Sequence, residues 1–276
     1  MMASAVSIET GIVAASAVRA ADVARACTRL AWLATSSTAR YLAWLAGHLA
    51  LAHRPASRRN WRSWCMRRWA RAAVRAAGLH MHVRGPVPEA PFLLVANHLS
   101  YIDIIVLAAL ADGRFVARHD LGNWPLIGLL VRAGGTILVQ RDRRADTVTA
   151  STSMRQAIEE GSGVILFPEG TSTSGQRVLP FRSSLFEPAI ELRQAVHAAA
   201  LHYTTPVGSP SAADVVCWWG DASFMPHLWH LLQLPRIDAY VAFGERAING
   251  DDRKALCASA QDAVTSLHES LKSEGA

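Results

Sequence analysis

The chain has 276 residues, of which 51% are apolar, with a mean hydropathy of +0.15 and a formal net charge of +6. That length fits one large domain or a domain with an appendage, and the apolar content is high for an enzyme that meets only water. The four cysteines (Cys27, Cys65, Cys217 and Cys257) lie far apart with no C-x-x-C pair, which argues against a disulfide framework or a zinc knuckle and fits a reducing compartment.

In chain order, the first ten residues, "MMASAVSIET", hold Glu9 and no Lys or Arg, so a cleaved signal peptide is not expected. Residues 1–84 then carry thirteen arginines against Glu9 and Asp22, a net +11, whereas residues 85–276 carry −5. A basic arm of this kind meets an anionic surface, either nucleic acid or lipid headgroups. The apolar stretch from Leu30 to Ala52 is interrupted by Arg40, which makes it a weak transmembrane candidate and an equally good interfacial or re-entrant helix. Beyond it, Trp61, Trp64 and Trp69 interleave with arginines, a pattern suited to the headgroup zone of an anionic membrane on its cytoplasmic face. The plainer alternative is an amphipathic helix packed on the catalytic domain. Nucleic acid is disfavoured because no recognition motif accompanies the charge. We therefore divide the chain into a helical, Arg/Trp-rich membrane-associating segment (1–84) and an α/β domain (85–276).

From Pro91 onward short apolar runs alternate with helical patterns. The runs predict strands at Phe92–Ala96, Arg114–Ala117, Thr136–Gln140, Val164–Phe167, Val196–Tyr203, Val215–Trp219 and Ile237–Phe243. Helices are predicted at Ser100–Ala111, Trp124–Ala133, Ala145–Glu160, Phe224–Leu232 and Asp251–Lys272. Gly134-Gly135 and Gly161 punctuate helix ends. The alternation implies a mixed, mostly parallel sheet covered by helices, with reactive groups on loops that leave strand ends.

Three stretches carry candidate chemistry. In "VANHLSYID" the strand stops at Asn97-His98, and Asp103 follows five residues after the imidazole. Ser100 and Asp103 have the spacing of a capping box, which gives the acid a structural reason, but nothing in packing explains His98. A carboxylate at that distance can fold back on one ring nitrogen, fix the tautomer and leave the other nitrogen to act as a general base. In "LFPEGTSTSG" a buried strand runs straight into Glu169 and Gly170, where backbone N–H groups could cradle an anion. In "GGTILVQR" a strand ends at Arg141, whose plain structural reading is a surface arginine.

Taken in chain order, the three stretches resemble the 1-acylglycerol-3-phosphate (lysophospholipid) acyltransferase superfamily. Asn97, His98 and Asp103 match its N-H-x4-D motif, Gly135 to Arg141 is similar to its second motif, and Phe167 to Thr171 matches its third until Ser172 stands where arginine is usual. The resemblance implies transfer of a fatty acyl chain from acyl carrier protein or coenzyme A to the hydroxyl of a lysolipid, with no cofactor beyond that thioester co-substrate and no metal. His98 would then be the base and Asp103 its support. Arg141, Glu169, Gly170 and Thr171 would bind substrate, and Asn97 would complete that set as the residue that shapes the loop or as an oxyanion donor, with Arg177 and Arg182 supplying the cation missing at Ser172. The run "FPEGTSTSG" followed by "RVLPFRSSLF" resembles the branch that acylates lyso-ornithine lipid, and lysophosphatidic acid is the alternative acceptor. The implied setting is the cytoplasmic face of a bacterial inner membrane.

The absence of a G-x-S-x-G elbow argues against a serine lipase. A lipid-binding protein of the same fold without turnover is the competing reading from another class. His227 and His230 have helical spacing but no third metal ligand near them, and His80 and His82 fit one face of a strand.

Overall fold

The computed structural model describes residues 19–124, 127–139 and 144–275. Two helices open it, α1 (Ala20–Ala50) and α2 (Pro55–Ala77), the second bounded by Pro55 in its first turn and by Gly78 in the left-handed conformation. They run antiparallel, since Trp61 Nε1 donates to Ala43 O and Trp69 Nε1 to Ser37 Oγ (2.9 Å). Then follow β1 (Leu79–Arg84), β2 (Leu93–Ala96), α3 (Ile102–Leu110), β3 (Gly113–Arg118), α4 (Ile127–Gly134), β4 (Ile137–Val139), α5 (Arg144–Glu159) and β5 (Gly163–Leu166). The chain closes with α6 (Glu187–Glu191), β6 (Val196–Thr204), α7 (Ala212–Val215), α8 (Phe224–Gln233), β7 (Ile237–Phe243) and α9 (Arg253–Glu274).

Among the described residues the strands form one seven-stranded sheet in the order β1-β7-β6-β2-β5-β3-β4, parallel throughout except where β6 meets β7. The expected mixed, mostly parallel sheet is therefore present. Helices cover both faces, which is why the central strands read as continuous apolar runs. Leu94 and Ala96 of β2 join the core formed with α2, α3 and α8, whereas Leu93 and Val95 join the one formed with α5, α6 and α9.

Most predicted elements fall within a few residues of their expected bounds. The strand expected at Val215–Trp219 does not form: α7 ends at Val215 and a turn follows. Its β-branched and aromatic residues imitate a strand, but both edges of β6 are already paired, with β2 and with β7. The Trp218 N–H instead bonds Leu99 O (2.8 Å). The last six residues of the Arg/Trp-rich segment are β1, so the sheet begins before Gly85.

Among the described residues no helix is long and apolar enough to cross a membrane. The helix predicted from the Leu30 stretch is longer, starting at Ala20, and it is oriented unusually. Every charged residue of α1 (Asp22, Arg25, Arg29 and Arg40) is half-buried against the protein, and its exposed positions, including Val23, Leu30, Trp32, Leu42, Leu45 and Leu49, carry no charge. Arg25 and Arg29 donate to carbonyl oxygens at Leu232 to Pro235, across the C-terminal end of α8. Next to this apolar face, α2 exposes Trp64, Arg68, Arg71 and Arg75, with the Arg68 guanidinium 4.9 Å over the Trp64 ring.

Candidate active site

Parallel pairing brings the His98 stretch and the Glu169 stretch together although about 70 residues separate them. Leu93, Leu94 and Val95 of β2 lie in register with Val164, Ile165 and Leu166 of β5, so Asn97-His98 and Phe167-Pro168-Glu169 leave the same end of the sheet side by side. Carboxyl ends of parallel strands are where ligands meet such sheets. Gly170 takes a positive φ (77°) that suits glycine at the turn after Glu169.

At that end His98 Nδ1 lies 2.7 Å from Asp103 Oδ2. Asp103 has no exposed surface, and a buried charge persists only when its oxygens are satisfied. Oδ2 also accepts from the N–H groups of Leu99 (2.6 Å) and Ser100 (2.9 Å), while Oδ1 accepts from the Tyr203 hydroxyl (2.7 Å). These donors suit an ionised carboxylate and place the imidazole proton on Nδ1. Burial, and secondarily Asp103, push the Tyr203 hydroxyl well above its usual range, so it remains a donor. The His98 ring stacks on Phe167 at 4.1 Å and is 21% exposed, and its Nε2 has no hydrogen-bond partner among the described residues. The capping box is half formed. Asp103 takes the Ser100 N–H, but the buried Ser100 hydroxyl has no partner among the described residues and α3 starts after Tyr101.

Two residues of the expected substrate-binding set have their polar atoms turned to backbone. Asn97 is 1% exposed; its Nδ2 donates to Leu201 O (3.0 Å) and its Oδ1 accepts from Leu201 N–H (2.8 Å), so it ties the end of β2 to β6. Glu169 is 5% exposed, with Oε1 accepting from His98 N–H (2.7 Å) and Oε2 from Leu179 N–H (2.8 Å). Both carboxylate oxygens thus hold backbone, which fixes His98 against the loop of residues 167–182. Thr171, Arg177 and Arg182 are exposed, with the Arg182 guanidinium packed over Gly170. Arg141 lies outside the described residues.

Burial raises the Glu169 carboxyl to about 7, outweighing the two N–H bonds that favour its charge. A raised acid binds its proton more tightly in the fold than in the unfolded chain. Its contribution to stability is therefore full below its ordinary value of 4.5 and is lost as pH rises through about 7. The melting temperature of the wild type relative to Glu169→Gln is expected to fall across that window. A difference that stays flat with pH would remove this linkage.

Tyr203 and Trp218 join the site without having been among its candidates, and Ser172, expected only as the place of a missing cation, has a bonding role of its own. Ser172 donates its hydroxyl to Trp218 O, and Trp218 N–H is itself bonded to Leu99 O, so this loop is tied to the residue that follows His98. For Tyr203 the available signal was a hydroxyl near the carboxyl end of a mainly apolar strand. For Ser172 and Trp218 there was none, because their contact joins segments 46 residues apart.

The Acyltransferase family model matches residues 79–207. Lyso-ornithine lipid O-acyltransferase of Brucella abortus is 35% identical over 213 residues, covering 72% of this chain and 80% of that protein. This chain belongs to the acyltransferase family. It is similar also to the 1-acyl-sn-glycerol-3-phosphate acyltransferase of Neisseria gonorrhoeae, at 28% identity over 71% of this chain and 78% of that protein. The crystal structure of the 1-acyl-sn-glycerophosphate (LPA) acyltransferase PlsC from Thermotoga maritima superposes with a TM-score of 0.67, covering 91% of this chain and 98% of that one at 17% identity, which shows the shared fold.

The protein is thus an acyltransferase of lysolipids. Beside its His98, Phe167 also lines a cavity of about 90 Å³ at the carboxyl ends of β3, β4 and β5. Val116, Val139, Met154 and Leu185 supply apolar walls, and Gly170 and Arg182 also line it.

Proposed function

We propose that this acyltransferase moves a fatty acyl chain from a thioester, on acyl carrier protein or coenzyme A, directly to the hydroxyl of lyso-ornithine lipid at a membrane surface. The observation that carries this reading is the His98 ring, held through Nδ1 by a buried carboxylate and open at Nε2. An alcohol is a poor nucleophile at neutral pH. His98 Nε2 takes its proton as the oxygen attacks the thioester carbonyl, the C–S bond breaks, and the imidazolium returns the proton to the departing thiolate. Asp103 stabilises the imidazolium and orients the ring, while Asn97 and Glu169 hold the loops in place.

The acceptor reading is supported by Ser172, which gives the site no cation at that position, and by the identity to lyso-ornithine lipid O-acyltransferases. The neighbouring reading, lysophosphatidic acid, is favoured by Arg182 beside Gly170. Labelled acyl donor, offered with each acceptor in turn, separates them: kcat/KM is expected to be higher for lyso-ornithine lipid, and a preference for lysophosphatidic acid overturns the assignment. Ser172→Arg adds one charge-assisted contact, typically ~1.5–3 kcal/mol, so it is expected to shift the acceptor ratio roughly tenfold or more toward lysophosphatidic acid.

Membrane attachment, on the cytoplasmic face, is supported by the uncharged outer face of α1 beside the arginines of α2. In this reading α1 lies in the interface and α2 meets anionic headgroups, as the membrane-associating part of the division at residue 84. Each surface arginine contributes about 1 kcal/mol to such binding. Arg68, Arg71 and Arg75 changed together to glutamine should weaken partition to anionic vesicles roughly 10- to 100-fold in low salt, with the difference shrinking as salt screens the surface. Unchanged partition at low salt would remove lipid electrostatics from the proposal.

A further inference from the structure

The C-terminal helix lies beyond the residues that the family model matches, yet it grips the site. On one face of α9, Gln261 Oε1 accepts from Phe181 N–H (2.9 Å), His268 Nε2 lies 2.9 Å from Gly175 O, and Lys272 Nζ donates to Gln176 O (3.0 Å). Spacings of seven and four residues put all three on the same helical stripe. All three partners belong to the loop of residues 167–182 that Glu169 anchors from its other end.

His268 is the inner member of this clamp. It is 1% exposed, in line with the buried stripe Leu256, Ala260, Val264 and Leu271. Its Nδ1 faces Leu201 O (3.0 Å) and Asn97 Nδ2 (3.4 Å), the pair that ties the end of β2 to β6 just before His98. A neutral imidazole has one N–H. Two carbonyls therefore compete for it, Gly175 O at Nε2 and Leu201 O at Nδ1; with the N–H on Nε2 the ring holds the loop, and Asn97 Nδ2, which faces Nδ1, supplies a donor there. Gly175 has a positive φ (80°), and a Cβ built there would come within 3.2 Å of Leu99, the residue after His98. Thr173 N–H also donates to His98 O (3.0 Å). A displacement of Gly175 is therefore passed to the base within two contacts.

We propose that His268 is a positioning residue for acyl transfer: its Nε2–H fixes Gly175, and through it the acceptor loop, against the strand end that carries His98. The proposal rests on the assignment of the His98 site above. Three substitutions separate the two ring nitrogens. In His268→Gln the amide N–H reaches the place of Nε2; in His268→Asn it reaches only that of Nδ1; His268→Leu removes both. Small misplacements of reacting groups cost up to about 100-fold in rate. With purified full-length protein in vesicles containing lyso-ornithine lipid, kcat/KM for the acceptor is expected to drop roughly 10- to 100-fold in His268→Leu and His268→Asn, with the KM for the acyl thioester little changed. His268→Gln is expected to recover most of that loss at a melting temperature close to that of the other two. Equal activity in the Gln and Asn variants, or acceptor and donor KM values that rise together with the loss of melting temperature, overturns the proposal. His98→Ala in the same assay reads the underlying assignment. If it is inactive while His268→Leu is fully active, the clamp alone is wrong.

Discussion

Replacing His98 with alanine is expected to lower kcat about 1000-fold, with the protein still folded and still bound to vesicles. General-base catalysis contributes typically 10²–10⁴-fold, and no other described side chain stands where Nε2 does. Truncation should cost little stability, because the ring is partly exposed and its packing is mainly one face on Phe167. The assay is thiol release from the acyl donor in the presence of acceptor, alongside thermal melting and vesicle sedimentation. A variant that keeps near-normal turnover would refute the assignment of the base.

Asp103 is expected to behave differently, because catalysis and fold share it. The carboxylate holds the His98 ring, two backbone N–H groups and the Tyr203 hydroxyl in a site with no exposure. Asp103→Ala strands four donors at ~1–3 kcal/mol for each that stays buried and unpaired, enough to consume much of a typical domain's stability. Asp103→Asn keeps the shape but offers an amide N–H toward one of the existing donors. It also removes the charge that stabilises the imidazolium. It should therefore fold with a loss of a few kcal/mol and lose about 10³- to 10⁴-fold in kcat, by analogy with amide replacement of the acid in hydrolase triads. Denaturant melts and turnover on the same preparation check this. An asparagine variant with wild-type turnover would leave Asp103 a purely structural group.

The parts of the fold that depend on local pattern were legible in the sequence. Strands β2 and β5 are covered on both faces, so they appear as unbroken apolar runs, and the polar residues that follow them mark where the chain leaves the sheet. The His98–Asp103 pair was legible for the same reason, since a loop and one helical turn fix their separation. What was hidden depends on which distant backbone arrives. Asn97 and Glu169 look like substrate ligands when the strand end alone is considered, but Leu201 and Leu179 reach them from elsewhere in the chain and occupy their polar atoms. His268 reads as one polar residue on an apolar helix stripe until Gly175 and Leu201 are placed against its two nitrogens. At Val215–Trp219 the composition of a strand was present and the partner was missing. In α1 the apolar stretch was visible, but its outward orientation follows only from where Arg25 and Arg29 find carbonyl partners.

Direct transfer by a base, with no acyl group ever carried by the protein, is tested most directly by mixing the enzyme with its acyl thioester and following thiol release in the first turnover, with and without the lysolipid. No release above the blank is expected until the lysolipid is added, and then one thiol for each ester formed. A burst equal to the enzyme concentration with donor alone, leaving an acyl group on His98, would contradict it.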